Sequence, residues 1–80
     1  MKILIVDDSK LARMAVAKAL AATYPEWSRI EAANADEALE QVKRESPDIA
    51  VLDFNMPGRD GLALAAEVRA LKPAMQVAII

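Results

Sequence analysis

Three aspartates carry the most distinctive chemistry that this sequence offers. Asp7 and Asp8 follow directly after one apolar run, residues 3–6. Asp53 follows directly after a second apolar run, residues 49–52. Carboxylates held close together repel one another unless a cation joins them, and the absence of His and Cys leaves only oxygen ligands, which suit Mg²⁺ rather than zinc. A metal in such a site would offset the negative charge between a carboxylate nucleophile and an incoming phosphoryl group.

Taken one at a time, the polar residues of these segments also have ordinary structural roles. A lone Asp7 or Asp8 after a strand is most often a turn or helix-cap residue, and Asp60 fits the same description. Asn55 fits a loop residue that hydrogen-bonds its own backbone. Ser9 fits a helix cap better than a nucleophile, because the chain has no His to act as its base. Only the joint placement of carboxylates after two apolar runs favours a functional site.

The spacing of apolar residues predicts the elements that position these carboxylates. Continuous apolar runs fit strands buried on both faces, and periodic apolar residues between them fit helices. The predicted elements are β1 (2–6), α1 (9–23), β2 (29–32), α2 (35–45), β3 (49–53), α3 (61–72) and β4 (76–80). This alternation predicts an α/β fold with right-handed crossovers, helices on both faces of a doubly wound parallel sheet and strand order 2-1-3-4. That order places the carboxyl ends of β1 and β3 side by side, so that the three carboxylates converge.

The helix boundaries and faces have local signals of their own. Ser9 is placed to cap α1, and Asn34 followed by Glu37 is a capping-box pattern for α2. Pro25 and Pro73 separate helices from the strands that follow. The residues expected to face the sheet are Ala12, Val16, Ala19 and Leu20 in α1, Ala38, Leu39 and Val42 in α2, and Leu62, Ala65 and Val68 in α3.

Length and composition limit the classes of function. Eighty residues make at most one small domain, and the net charge of -2 with scattered Lys and Arg argues against a nucleic-acid-binding surface. The first apolar run is too short for a signal peptide or a membrane span, which needs about 18 apolar residues. The absence of cysteine suits a cytoplasmic location.

The sequence resembles the receiver domains of two-component response regulators along its whole length. The segments that carry the resemblance are residues 4–8 (LIVDD), 34–39 (NADEAL), 47–53 (PDIAVLD) and 55–61 (NMPGRDG). The string from Asp53 through Asn55 to Asp60 is highly specific, and its distance from the Asp7–Asp8 pair strengthens the match. The resemblance implies a flavodoxin-like fold and a phospho-accepting signalling module rather than an enzyme, with at most self-phosphorylation and self-dephosphorylation chemistry.

The resemblance also implies a role for each residue of the site. Asp53 matches the acceptor of the phosphoryl group, taken from a phosphohistidine on a sensor histidine kinase or phosphotransfer protein, or from a small phosphodonor. Asp8 matches the direct carboxylate ligand of Mg²⁺, and Asp7 matches the residue that acts mainly through water. Asn55 matches the position that gives the metal its backbone carbonyl.

The family pattern continues beyond Ile80, which leads to two further expectations. In that pattern a Ser or Thr follows strand four and a Lys ends strand five, and both contact the phosphoryl group. We therefore expect this chain to be the amino-terminal part of a longer domain and to accept phosphoryl groups inefficiently by itself. An apolar β4 at the edge of the sheet further predicts a homo-oligomer formed through that edge.

Two other functions remain open at this point. One is an engineered or structural half-domain that self-associates. The other is a metal-dependent phosphatase with an aspartyl nucleophile, which usually carries a second Asp two positions after the first, where this chain has Asn55. Turnover separates the two kinds of chemistry, since a receiver takes one phosphoryl group and a phosphatase cycles.

Overall fold

In the computed structural model, which describes residues 1–53 and 61–79, four parallel strands form a sheet in the order β2-β1-β3-β4. The strands are β1 (Lys2–Val6), β2 (Ser28–Ala32), β3 (Ile49–Leu52) and β4 (Gln76–Ile79), and the helices are α1 (Lys10–Thr23), α2 (Ala35–Glu45) and α3 (Gly61–Leu71). The predicted α/β class and the strand order 2-1-3-4 are confirmed. None of the described helices is long and apolar enough to cross a membrane.

Two elements start one residue away from the predicted positions. Helix α1 begins at Lys10 rather than Ser9, because Ser9 has extended backbone and its hydroxyl accepts the Ala12 N–H at 3.3 Å as the N-cap. Strand β2 begins at Ser28, whose N–H donates to the Met1 carbonyl at 2.9 Å and so extends the pairing with β1 by one residue.

Two elements end one residue earlier than predicted, and the predicted end of a third lies outside the described residues. Strand β3 ends at Leu52, so Asp53 is the first residue beyond the strand. Helix α3 ends at Leu71, because the proline that follows Lys72 disfavours helical backbone at that residue. Strand β4 is described to Ile79, and Ile80 lies outside the described residues.

The strand order divides the helices between the two faces of the sheet. The chain moves from β1 outward to β2, then back across β1 to β3 and on to β4, so right-handed crossovers place α1 on one face and α2 and α3 on the other. Ile3 and Ile5 are buried under α1. The opposite face forms the main core, which contains Leu4, Val6, Ala32, Ala38, Val42, Ala50, Leu52, Leu64, Ala65, Val68 and Met75. The reversal of direction at β1 also creates the crevice at the carboxyl ends of β1 and β3.

Two helix faces are rotated relative to the prediction. Leu62 is 58% exposed, whereas Leu64 is fully buried; the two lie about 200° apart around the helix, so both cannot face the core. In α1, Ala19 is exposed. The half-buried face of that helix consists instead of Ala12, Arg13, Val16, Ala17, Leu20 and Ala21. A cationic side chain therefore lies in the face of α1 that was predicted to be apolar.

The predicted capping-box pattern of α2 forms, with the return hydrogen bond to Glu37 coming from the residue before the Asn34 cap. The Glu37 N–H donates to Asn34 Oδ1 at 2.8 Å, and Glu37 Oε2 accepts the Ala33 N–H at 3.0 Å. At the other end Ser46 adopts left-handed backbone, with φ of 46°, and its N–H donates to the Val42 carbonyl. The left-handed residue turns the chain sharply, so that β3 can begin three residues later and run parallel to β1.

Candidate functional site

Backbone pairing continues past the ends of β1 and β3 and places two of the aspartates side by side. Val6 pairs with Leu52 as the last register position of these strands. The Asp53 N–H then donates to the Val6 carbonyl at 3.0 Å, and the Asp7 N–H donates to the Ala32 carbonyl of β2 at 3.1 Å. The sheet itself thus holds the backbone of Asp7 and of Asp53.

The structure brings the carboxylates of Asp7, Asp8 and Asp53 together at this crevice. One carboxylate oxygen from each residue lies within 4.8 Å of the other two. Asp7 and Asp53 are half-buried and Asp8 is exposed, so the cluster opens to solvent on the Asp8 side. The fourth predicted ligand, the carbonyl of Asn55, lies outside the described residues, as does Asp60.

The turn between β1 and α1 fixes Asp7 more firmly than Asp8. The Ser9 N–H donates to Asp7 Oδ1 at 2.9 Å, which folds the turn around the Asp7 carboxylate. Ser9 in turn caps α1 through the Ala12 N–H. One oxygen of Asp7 is therefore committed to the turn, while the exposed Asp8 carboxylate can rotate toward a ligand.

Sequence reasoning missed Arg13, whose side chain holds this turn by a hydrogen bond to the Asp7 carbonyl. Arg13 Nη1 donates to the Asp7 carbonyl at 2.6 Å, and Arg13 Nε donates to Glu31 Oε1 at 3.1 Å. The available signal was the position of Arg13 four residues after the Ser9 cap, which places its side chain over the first turn of α1. A prediction based on apolar spacing passes over such a residue.

The donor set fits a hard divalent cation. Oxygens bound to one Mg²⁺ at about 2.1 Å stand about 3 Å apart when adjacent and about 4.2 Å apart when opposite. The 4.8 Å limit on the three carboxylate oxygens is close to that range, and a side-chain rotation or a bridging water would be needed to close the difference. All three groups are carboxylates, which Mg²⁺ prefers over softer ligands.

Without a cation the cluster is electrostatically unfavourable. At separations of this size each pair of unit negative charges repels by on the order of 1 kcal/mol in a water-like medium, and more where solvent is excluded. The Arg13 guanidinium does not cancel this charge directly, because its hydrogen bonds go to the Asp7 carbonyl and to Glu31. A cation bound between the three carboxylates would relieve this repulsion.

Comparisons with known proteins agree on one family. Residues 3–80 match the family model described as the response regulator receiver domain. The chain is 39% identical over 74 residues to a protein-glutamate methylesterase/protein-glutamine glutaminase of Methanosarcina acetivorans, and the match covers 91% of this chain and 21% of that protein. The chain spans between 21% and 37% of the length of the first curated relatives that it matches.

Solved structures give the same result. A two-component transcriptional regulator AraC from Clostridium phytofermentans superimposes with a TM-score of 0.89 at 26% identity, covering 99% of this chain and 64% of that one. A chain from the complex of histidine kinase ThkA with response regulator protein TrrA superimposes with a TM-score of 0.85 at 31% identity, covering 98% and 66%. The chain therefore belongs to the response regulator receiver domain family, the signalling modules of two-component systems.

Proposed function

We propose that this chain accepts one phosphoryl group on Asp53, with Mg²⁺ held between Asp53, Asp8 and Asp7. The observation that carries the proposal is the cluster of three carboxylate oxygens within 4.8 Å at the ends of β1 and β3, in a chain of the receiver family. The half-buried position of Asp53, next to a solvent-exposed opening at Asp8, supports its role as the acceptor.

Asp53 acts as the nucleophile in this proposal. A carboxylate oxygen of Asp53 attacks the phosphorus of a phosphohistidine, the phosphorus–nitrogen bond breaks, and the electron pair stays on the imidazole of the donor, which leaves as the neutral ring with a proton supplied by solvent. The products are an aspartyl phosphate and an unmodified histidine. The sheet hydrogen bond from the Asp53 N–H to the Val6 carbonyl holds the nucleophile in place during the attack.

The other two aspartates hold the cation and do not react. The resemblance to the family gives Asp8 the direct contact and Asp7 a contact through water. The exposure of Asp8 and the hydrogen bond from the Ser9 N–H to one Asp7 oxygen are compatible with this division. The resemblance to the family adds the backbone carbonyl of Asn55, which lies outside the described residues, as a further ligand in this proposal. When bound, Mg²⁺ supplies positive charge that offsets the repulsion between the carboxylates and the phosphoryl oxygens.

A histidine kinase is the donor in this proposal, and the reaction takes place in the cytoplasm. The similarity to a chain in the ThkA–TrrA complex supports a kinase partner. The absence of cysteine fits a reducing compartment. The proposed role is signalling rather than turnover, so we expect one phosphoryl group per chain.

Intact-mass spectrometry with a small phosphodonor tests the proposal. We expect the chain, incubated with phosphoramidate and Mg²⁺, to gain the mass of one phosphoryl group, and hydroxylamine to remove it because an aspartyl phosphate is an activated acyl group. Chelation of Mg²⁺ should prevent the gain. A chain that gains no mass at high donor concentration contradicts the proposal, and continuous release of phosphate over many turnovers would favour a phosphatase instead.

We also propose that β4 is an edge through which two copies of the chain associate. Within the described residues β4 is the last strand of the sheet, and its Gln76 N–H points inward to the Asp48 carbonyl at 3.2 Å. Because successive residues of a strand alternate in direction, the backbone groups of Val77 and Ile79 point to the open side. Ala78 and Gln76 are exposed, unlike the four buried residues of β1.

A charge on β4 should weaken this association. We expect Ala78→Lys to lower the fraction of dimer in sedimentation velocity across a concentration series, since Lys on an edge strand opposes pairing with a second edge. Ala78→Ser, which adds no charge, should leave the dimer fraction close to that of the unchanged chain. A wild-type chain that sediments as a compact monomer at every concentration contradicts the proposed edge.

A further inference from the structure

Arg13 is a charged residue in a position where the helix is otherwise apolar. The half-buried face of α1 consists of Arg13 together with alanine, valine and leucine residues, and the Arg13 side chain is only 14% exposed. Withdrawing a guanidinium from water is costly unless its donors are well paired. Its partners therefore indicate what the position is used for.

Those partners converge on one peptide of the candidate site. Arg13 Nη1 donates to the Asp7 carbonyl at 2.6 Å, and Nε donates to Glu31 on β2 at 3.1 Å. Asp7 is thereby held at three points, because its N–H donates to the Ala32 carbonyl and its carboxylate accepts the Ser9 N–H.

The Asp7 carbonyl is also part of the peptide plane that leads into Asp8. With the N–H of Asp7 fixed by β2 and its carbonyl fixed by Arg13, the plane between the two aspartates cannot rotate freely. That plane sets the position of the Asp8 Cα and so the region that the exposed Asp8 carboxylate can reach. Within the described residues, no hydrogen bond made by Asp8 itself fixes the position of its carboxylate.

We propose that Arg13 is a positioning residue for the carboxylate site. Through the Asp7 carbonyl it fixes the turn that directs Asp8 toward Asp53, and Glu31 holds the guanidinium in place and balances its charge beside the cation site. This inference rests on the proposed function, because in that function the Asp8 carboxylate that Arg13 positions binds Mg²⁺. Arginine suits the task, since its rigid planar fork offers two donors in fixed directions, whereas lysine offers a point charge on a flexible stem.

The experiment measures two quantities separately, the stability of the turn around Asp7 and the affinity of the site for Mg²⁺. In the metal-free protein, hydrogen exchange at the Ser9 amide reports whether the turn around Asp7 is held. Calorimetric titration with Mg²⁺ reports whether the carboxylates are aligned. We expect Arg13→Ala to speed exchange at Ser9 and to weaken Mg²⁺ binding, each about tenfold, as loss of a residue that orients metal ligands commonly does.

Trp27 fluorescence is a poor substitute for either measurement. Trp27 precedes Ser28, which pairs with Lys2 at the start of β1, whereas the carboxylates follow the other end of that strand. The five residues of β1 span about 13 Å from Lys2 to Val6. The tryptophan ring also stacks on the Tyr24 ring, with 4.1 Å between the ring centroids, rather than on a residue of the site.

Matched variants separate positioning from general stability. Arg44→Ala removes an arginine whose exposed guanidinium pairs with Glu40 at 2.6 Å on α2, and we expect it to change neither readout. Arg13→Lys keeps the positive charge but cannot make both hydrogen bonds, so its Ser9 exchange and Mg²⁺ affinity should lie between those of wild type and Arg13→Ala. Glu31→Gln keeps an acceptor oxygen for Nε and should affect both readouts less than Arg13→Ala.

Each outcome of these measurements bears on the inference. If Arg13→Ala leaves Ser9 exchange and Mg²⁺ affinity unchanged, or speeds exchange equally at the amides of β1, Arg13 is not a positioning residue. Full recovery of both readouts by Arg13→Lys would overturn the inference in favour of a simple charge effect. If the wild-type chain binds no Mg²⁺, the metal in the proposed function is wrong, and selective exchange at Ser9 still decides the role of Arg13.

Discussion

The Asp53→Asn variant is expected to gain no phosphoryl group under conditions in which the wild-type chain gains one. An amide has no anionic oxygen to attack phosphorus, and removal of a nucleophile commonly lowers rates by about a thousandfold or more. The substitution keeps the size of the side chain and leaves the backbone hydrogen bond from residue 53 to the Val6 carbonyl intact, so the fold should persist. Intact-mass spectrometry with phosphoramidate measures the modified fraction.

Two other aspartates serve as comparisons for this result. Asp36 lies in the first turn of α2 and is not among the three clustered carboxylates, so Asp36→Asn should be modified like wild type. Asp8→Asn keeps the proposed acceptor but removes the proposed direct ligand of Mg²⁺, so its modification should be slower and less dependent on Mg²⁺. Full modification of Asp53→Asn would mean that a different carboxylate is the acceptor, with Asp7 or Asp8 as the nearest alternatives.

The second large effect concerns the core beneath the site. Leu4 is fully buried on the central strand β1, on the face covered by α2 and α3. We expect Leu4→Ala to lower the free energy of unfolding by about 2–5 kcal/mol, through lost apolar burial and the cavity left behind. A domain of this length has roughly 4–12 kcal/mol of stability in total, so the variant should be partly unfolded at modest urea concentration. Urea titration followed by circular dichroism measures the change.

Leu11→Ala is a control in which the same side chain is shortened at a solvent-exposed position. Leu11 is 79% exposed on α1, so its replacement should change the free energy of unfolding by no more than about 0.5 kcal/mol. Similar losses for the two variants would show that α1 packs through Leu11 and that β1 is not at the centre of the core. That result would also contradict the proposed carboxylate site, because a buried β1 is what positions Asp7 and Asp8.

The features that follow from chain direction could be predicted from the sequence. Apolar runs such as residues 3–6 and 49–52 identify buried strands because few other structures tolerate them, and the alternation with helices restricts the topology. The convergence of Asp7, Asp8 and Asp53 then follows from parallel strands ending at the same edge. Local capping at Asn34 and Glu37 could be predicted for a similar reason, since both partners lie within one helical turn.

The features that depend on packing between elements could not be predicted from the sequence. Whether Leu62 or Leu64 faces the core is decided by how α3 rests on the sheet, and an alanine-rich helix carries a weak periodic signal. The Arg13–Glu31 contact joins residues 18 positions apart, and the Arg13 contact to the Asp7 carbonyl involves a backbone group that every sequence has. Spacing rules for side chains contain no information about such a bond.

Helix α1 contributes no fully buried side chain, although its first turn supports the carboxylate site through Ser9 and Arg13. An element with so little buried apolar surface opens at a lower free energy than the strands beneath it. The turn that directs Asp8 therefore belongs to a cooperative unit weaker than the sheet, which holds the backbone of Asp7 and Asp53. On warming, we expect a local opening of α1 to release this turn while β1, β3 and the main core remain intact, so that the alignment of Asp8 is lost before global melting.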